Sequence, residues 1–213
     1  MEPTLPPAID RRSFLSLFGK GTEASPEPQS SVIEHEDGAY ESKLYQGRIG
    51  SYLEWPRFSL TDHHGRQRDL QRDVIAGQPV VLNFFYTKCK GSCPVTMGRM
   101  IELAEHVADA RRTTRFISVS LEPEVDTPSV LADYAKVVLP AGADWHLLNA
   151  KADTLNELRR YLGFYDLNPA VDADPRRHAA MVLIGDERTH RWITLPAIST
   201  LRQWRSALAR CAA

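Results

Sequence analysis

The chain has 213 residues, of which 43% are hydrophobic and 25% charged, and its formal net charge is −1. That balance fits a globular protein with one good core, and acidic and basic residues are interspersed, which leaves no basic footprint for nucleic acid or anionic lipid. No apolar run approaches the ~20 residues needed to cross a bilayer, so no transmembrane segment is expected.

Residues 1–50 differ from the rest. Pro3, Pro6, Pro7, Pro26 and Pro28 are separated by Ser, Glu and Gly, with almost no apolar period. This composition predicts a disordered tail. Inside it, "DRRSFLSLFGKG" (10–21) carries the paired Arg11 and Arg12 of a twin-arginine export signal, but the sequence turns polar and proline-rich where the apolar segment should follow. The expectation is a signal remnant that does not direct export.

From residue 51 to 213 the pattern is that of one domain in which strands alternate with helices. "RFSLTDHHGR" (57–66) reads as a short strand running into a turn at Gly65, and "PVVLNFFY" (79–86) as a strand buried on both faces. A helix opens at Pro94 and runs to about Ala110, with Met97, Met100, Ile101, Ala104, Val107 and Ala108 on its apolar face. "RFISVS" (115–120) is a second buried strand. Asp126 or Thr127 caps a helix that starts at Pro128 and turns Leu131, Tyr134 and Val138 inward. "WHLLN" (145–149) is a short strand, and Leu155, Leu158 and Leu162 mark a further helix. "AAMVLIG" (179–185), a Gly-Asp turn and "HRWITL" (190–195) form a hairpin, and a last helix from Ser199 carries Leu201, Trp204 and Leu208. This order predicts an α/β, thioredoxin-like fold with a central mixed sheet flanked by helices.

In "VVLNFFYTKCKGSCPVTMGRM" (80–100), Cys89 and Cys93 fall where a strand's carboxyl end meets a helix's amino end. The helix dipole and its unpaired N–H groups favour thiolates there, and Lys88 and Lys90 add positive charge. The thiols are therefore reactive groups or metal ligands. The neighbours Lys90, Gly91 and Ser92 are unlike those of inert buried cysteines. A structural zinc cage needs about four ligands, and no second cysteine pair supplies them. Cys211, on the last helix, is read as an incidental thiol.

"YTKCKGSCPVTM" resembles the C-x-x-x-C-P motif of the SCO/SenC family, thioredoxin-like factors that deliver copper to the CuA centre of cytochrome c oxidase or reduce its cysteines. Three further segments are similar to family segments in the same order. "FSLTDHHGR" is similar to its opening strand and turn, and "SVSLEPEVDTPSVLADYAK" (118–136) to its D-P-x-x-D-T-P loop and helix. "RRHAAMVLIGDE" (176–187) is similar to the segment with its copper-binding histidine. The resemblance covers about residues 57–206. Glu122 stands in place of the loop's first aspartate, Asp126 keeps the second, and Arg177 stands where the family often has aspartate. A guanidinium there calls for neutralisation by Asp172, Asp174 or Asp126.

The resemblance implies a metal site of Cys89, Cys93 and His178. Of the other histidines, His35 lies in the tail, while His63, His64, His106 and His190 sit in polar surroundings, and His146 is a lesser pocket candidate. Two thiolates and an imidazole suit copper(I), and three residues between the thiols leave room for an ion or for a redox-active disulfide. The function expected is that of a copper-binding assembly factor that serves a copper-receiving client, a cytochrome oxidase subunit or related protein. The alternative is a thiol–disulfide oxidoreductase in which Cys89 attacks and Cys93 resolves. The family's place of work implies the periplasm.

Overall fold

A computed structural model describes residues 55–110, 113–174 and 180–213. The tail, the paired arginines and His178 lie outside the described residues. Among the described residues no helix is long and apolar enough to cross a membrane.

Seven strands form one mixed sheet: β1 (Ser59–Asp62), β2 (Gln67–Asp69), β3 (Val80–Phe85), β4 (Arg115–Ser120), β5 (Trp145–Asn149), β6 (Met181–Asp186) and β7 (Arg191–Pro196). Their spatial order is β2-β1-β5-β4-β3-β6-β7. The β3–β4 and β4–β5 pairs are parallel, and the remaining pairs are antiparallel. All six residues of β3 are buried, because helices cover both faces of the centre of the sheet.

The helices are α1 (Ser92–Asp109), α2 (Pro128–Val138), α3 (Ala152–Leu162), the single turn α4 (Pro169–Asp172) and α5 (Leu201–Cys211). On one face Val81 and Phe85 pack with Met97, Met100, Ile101, Leu103, Ala104 and Val107 of α1, with Leu131 and Val138 of α2 and with Trp204 of α5. On the other, Val80, Leu82 and Phe84 pack with Leu155 and Leu158 of α3 and with a wide helical turn, Leu70–Ile75. This is the thioredoxin-like layering expected from the order of elements. In α1 the buried stripe takes in Leu103 and leaves Ala108 exposed, a rotation of the expected face towards α5.

Two local features depart from the sequence expectation for physical reasons. The Gly-Asp pair read as a hairpin turn lies inside β6, where Gly185 pairs with Trp192. The connection to β7 is made instead by residues 187–190, with His190 at φ 54°. The strand β2 went unread because its three residues are polar and Asp62 holds it. The Asp62 carboxylate accepts the N–H groups of His64 and Arg66 at 2.9 Å each and receives the Arg66 and Arg68 side chains at 3.1 and 3.0 Å. Burial pushes this acid up, but the donors outweigh burial and hold it at about 2.

Where β1 leaves β5, His63 donates its N–H to Leu147 O at 2.9 Å, and its ring Nδ1 accepts the Leu147 N–H at 3.3 Å. Burial, and then the charge of His64, whose tilted ring lies 4.1 Å away, lower the His63 pKa. A folded pKa below the unfolded value favours the neutral ring, so this contribution is fully present above about pH 6.5 and is lost as pH falls below it. Thermal midpoints from pH 8 to pH 5 should therefore fall more steeply for wild type than for His63→Gln. Parallel curves for the two proteins would rule this out.

Candidate metal and thiol site

Both cysteines lie at the carboxyl edge of the parallel strands. After Phe85 the chain makes a turn in which Cys89 N–H donates to Tyr86 O at 3.2 Å, then enters α1 at Ser92. Pro94 sits in the first turn, where its missing N–H costs nothing. The N-cap is Gly91, with no side chain to cap the helix. The unpaired N–H groups are used differently: those of Gly91 and Cys93 hydrogen-bond the Cys89 sulfur, as do the Cys93 thiol and the Tyr86 phenol. Cys89 thus takes the position of a capping group, and a negative sulfur is the species these donors prefer.

The two thiols are consequently unequal. Burial raises the Cys89 pKa, but the Cys93 thiol and the two N–H groups more than offset that, so it lies below the ordinary thiol value. Cys93 is buried at 5% exposure, and burial followed by the neighbouring Cys89 drives its pKa far up. Of the two, Cys93 holds its proton the more tightly. Lys88 and Lys90 are exposed, and the shift rests on N–H, S–H and O–H donors at the helix start. Burial also raises the Tyr86 and Tyr134 phenols, and the two thiols push both further up.

Beneath this loop lies Asp126, wholly buried. Thr127, not Asp126, caps α2, its hydroxyl accepting the Val130 N–H at 3.4 Å. Asp126 faces the cysteine loop instead, accepting Thr87 N–H at 3.1 Å and the hydroxyls of Thr87 and Ser120 at 2.5 and 2.6 Å. Glu122, in the same loop, is raised first by burial and then by the Asp126 charge, with Lys88 opposing. The contacts of Tyr86, Thr87 and Ser120 with the site were not foreseen from the sequence. The one available signal was the position of Asp126 in the D-T-P segment.

The remaining candidates fall elsewhere. Cys211 is fully buried at the end of α5, and its thiol donates to Ile184 O at 3.5 Å. Ile184 precedes Gly185, which pairs with Val80 at the start of β3, so Cys211 lies at the opposite edge of the sheet from Cys89. His146 pairs with Asp144 at 3.1 Å near the start of β5, again at the opposite edge. Asp172 is engaged by Arg159 of α3. Among the described residues no third histidine, cysteine or carboxylate joins the two thiols in a group that could hold an ion. Two sulfur donors at one edge, one half-buried and one buried, are the soft ligands that copper(I) prefers.

The human protein named SCO1 homolog, mitochondrial, is 33% identical to this chain over 101 residues, a match that covers 46% of this chain and a third of the human protein. Among solved structures, Bradyrhizobium japonicum ScoI with copper bound superposes with a TM-score of 0.58 at 24% identity, covering 73% of this chain and 98% of that one. BsSco, described as a Sco cytochrome c oxidase assembly protein with a disulfide switch, superposes with a TM-score of 0.59 at 18% identity, over 77% and 97%. The sequence profile of the SCO1/SenC family matches residues 48–190, two thirds of the chain, and the chain belongs to that family.

Proposed function

We propose that this protein is a copper-binding assembly factor of the Sco type, in which Cys89, Cys93 and His178 hold one copper(I) ion as cargo for a client, a cytochrome oxidase subunit or related copper protein. The observation that carries this reading is the placement of the two cysteines together at the carboxyl edge of the parallel strands, with the helix N–H groups of Gly91 and Cys93 on the Cys89 sulfur. Cys89 is already drawn towards the thiolate by the helix N–H groups, and a soft cation can displace the proton that Cys93 retains. The strand that follows His178 begins at the same edge, since Val182 pairs with Asn83 near the end of β3. Bradyrhizobium ScoI, with copper bound, supports the choice of metal.

A second reading rests on the same asymmetry. Cys89 as thiolate attacks a client disulfide to give a mixed disulfide and one free client thiolate. Cys93, losing its proton, then displaces the second client thiolate and closes the Cys89–Cys93 bond. The client gains two electrons and this protein loses two. BsSco, described by its disulfide switch, supports the possibility of such exchange.

The deciding experiment is a copper(I) competition titration of the reduced protein against a chromophoric chelator, with a thiol-exchange assay in parallel. Wild type should bind one equivalent, and His178→Ala should bind at least about tenfold more weakly with exchange rates little changed. Equal affinities would remove His178 from the site. Absence of binding by wild type would leave the exchange reading in its place.

A further inference from the structure

Three aspartates among the described residues are wholly buried: Asp62, Asp126 and Asp186. Two have cationic partners. Asp62 is paired with Arg66 and Arg68 at 3.1 and 3.0 Å, and Asp186 with Arg188 at 2.5 Å. Asp126 has no ion pair among the described residues, and its oxygens are met by neutral donors alone. Burial of a carboxylate without a counter-ion carries a desolvation penalty of several kcal/mol. A carboxylate kept under those terms must do something that a neutral side chain in its place does less well.

What it does is visible in the origin of its donors. Both groups of Thr87 point at it, the N–H to Oδ2 and the hydroxyl to Oδ1, and Thr87 lies two residues before Cys89. Ser120, at the end of β4, completes the set through Oδ2 and also accepts the N–H of Glu122 at 3.0 Å. The backbone around Asp126 is fixed in turn, because the Asn149 amide at the end of β5 donates to Pro123 O and Asp126 O at 2.8 Å each. Thr87, just beyond β3, and Ser120, at the end of β4, thus meet on one carboxylate through neutral donors, while β5 holds the backbone that carries it. Hydrogen bonds to an ionised acceptor are about twice as strong as those between neutral groups, which is what a single residue needs to hold a loop across 39 positions of sequence.

We propose that Asp126 is a positioning residue of the thiol pair: its buried carboxylate clamps the Thr87–Cys89 loop against the end of β4, on a backbone that β5 holds in place, so that the Cys89 sulfur is held over the first turn of α1 beside Cys93. The clamp serves either chemistry of the pair. Only the copper readout below rests on the function proposed above.

The test uses Asp126→Asn and Thr87→Val in the full chain. Asparagine has the same shape but lacks the charge, and its amide cannot accept from all three donors. Valine removes the Oδ1 bond alone. In a fixed glutathione buffer the ratio of closed Cys89–Cys93 disulfide to open dithiol should fall about tenfold in Asp126→Asn, because the thiols are no longer held in register. Copper(I) affinity should fall by about 10–100-fold, the usual cost of removing a residue that orients a ligand. Thr87→Val should move both in the same direction by less, and it carries the test alone if the asparagine variant does not fold. A lowered thermal midpoint with an unchanged disulfide ratio would show that Asp126 only supports the fold, and would overturn the proposal. Should wild type bind no copper(I), the assembly-factor reading falls, while the disulfide ratio still decides the role of Asp126.

Discussion

Cys89→Ser is expected to abolish copper(I) binding and thiol–disulfide exchange together, whereas Cys211→Ser leaves both unchanged. The serine hydroxyl is a hard, weakly acidic donor that neither attacks a disulfide at neutral pH nor replaces a thiolate on a soft ion. The structure also orders the three thiols. Cys89 is half-buried and drawn below the ordinary thiol pKa, Cys93 is buried and driven far above it, and burial pushes Cys211 up to about 11. With iodoacetamide at pH 7, Cys89 should therefore be alkylated roughly a hundredfold faster than either of the others, since only the thiolate reacts. Peptide mass spectrometry over a time course reads this directly. Labelling of Cys93 at the rate of Cys89 would contradict the asymmetry, and with it the assignment of Cys89 as the attacking thiol.

The position of the cysteine pair was legible because two strong local signals coincide there, an apolar strand and a proline in the first turn of a helix. The strands Arg115–Ser120 and Trp145–Asn149 were legible to the residue for a similar reason: buried parallel strands are apolar runs with abrupt ends. What stayed hidden depends on partners distant in sequence. Nothing in "EVDTP" shows that Thr127 takes the capping role and frees Asp126 to face Thr87, because the choice is made by a contact 39 residues away. In the α1 stripe, Leu103 joins the buried cluster that also holds Trp204, Ala207 and Leu208 of α5, nearly a hundred residues on. Gly185 was misread for the opposite reason, a local turn signal overruled by its cross-strand partner Trp192.

That misreading leads to the largest expected effect on stability. Gly185→Ala is expected to cost about 3 kcal/mol, the upper part of the usual range for overpacking, because the added Cβ would lie 2.0 Å from Cε3 of Trp192. Relief is not available nearby. The Trp192 ring is 5% exposed and packs against Trp55 at a centroid distance of 5.3 Å, so it moves only by opening that face of the core. The glycine is thus required by the close approach of an aromatic ring across the hairpin and not by a turn conformation. Thermal unfolding should show a midpoint lowered by roughly 6–12 °C for a domain of this size. In a Trp192→Leu background the same Gly185→Ala change should cost much less, since the two positions are in contact and their effects are not additive. Below the midpoint, Cys89 should be alkylated at the wild-type rate, because Gly185 pairs with Val80 at the far end of β3 from the cysteine loop. A midpoint within about 1 °C of wild type would show that the ring is free to give way, and that the hairpin tolerates what its geometry here forbids.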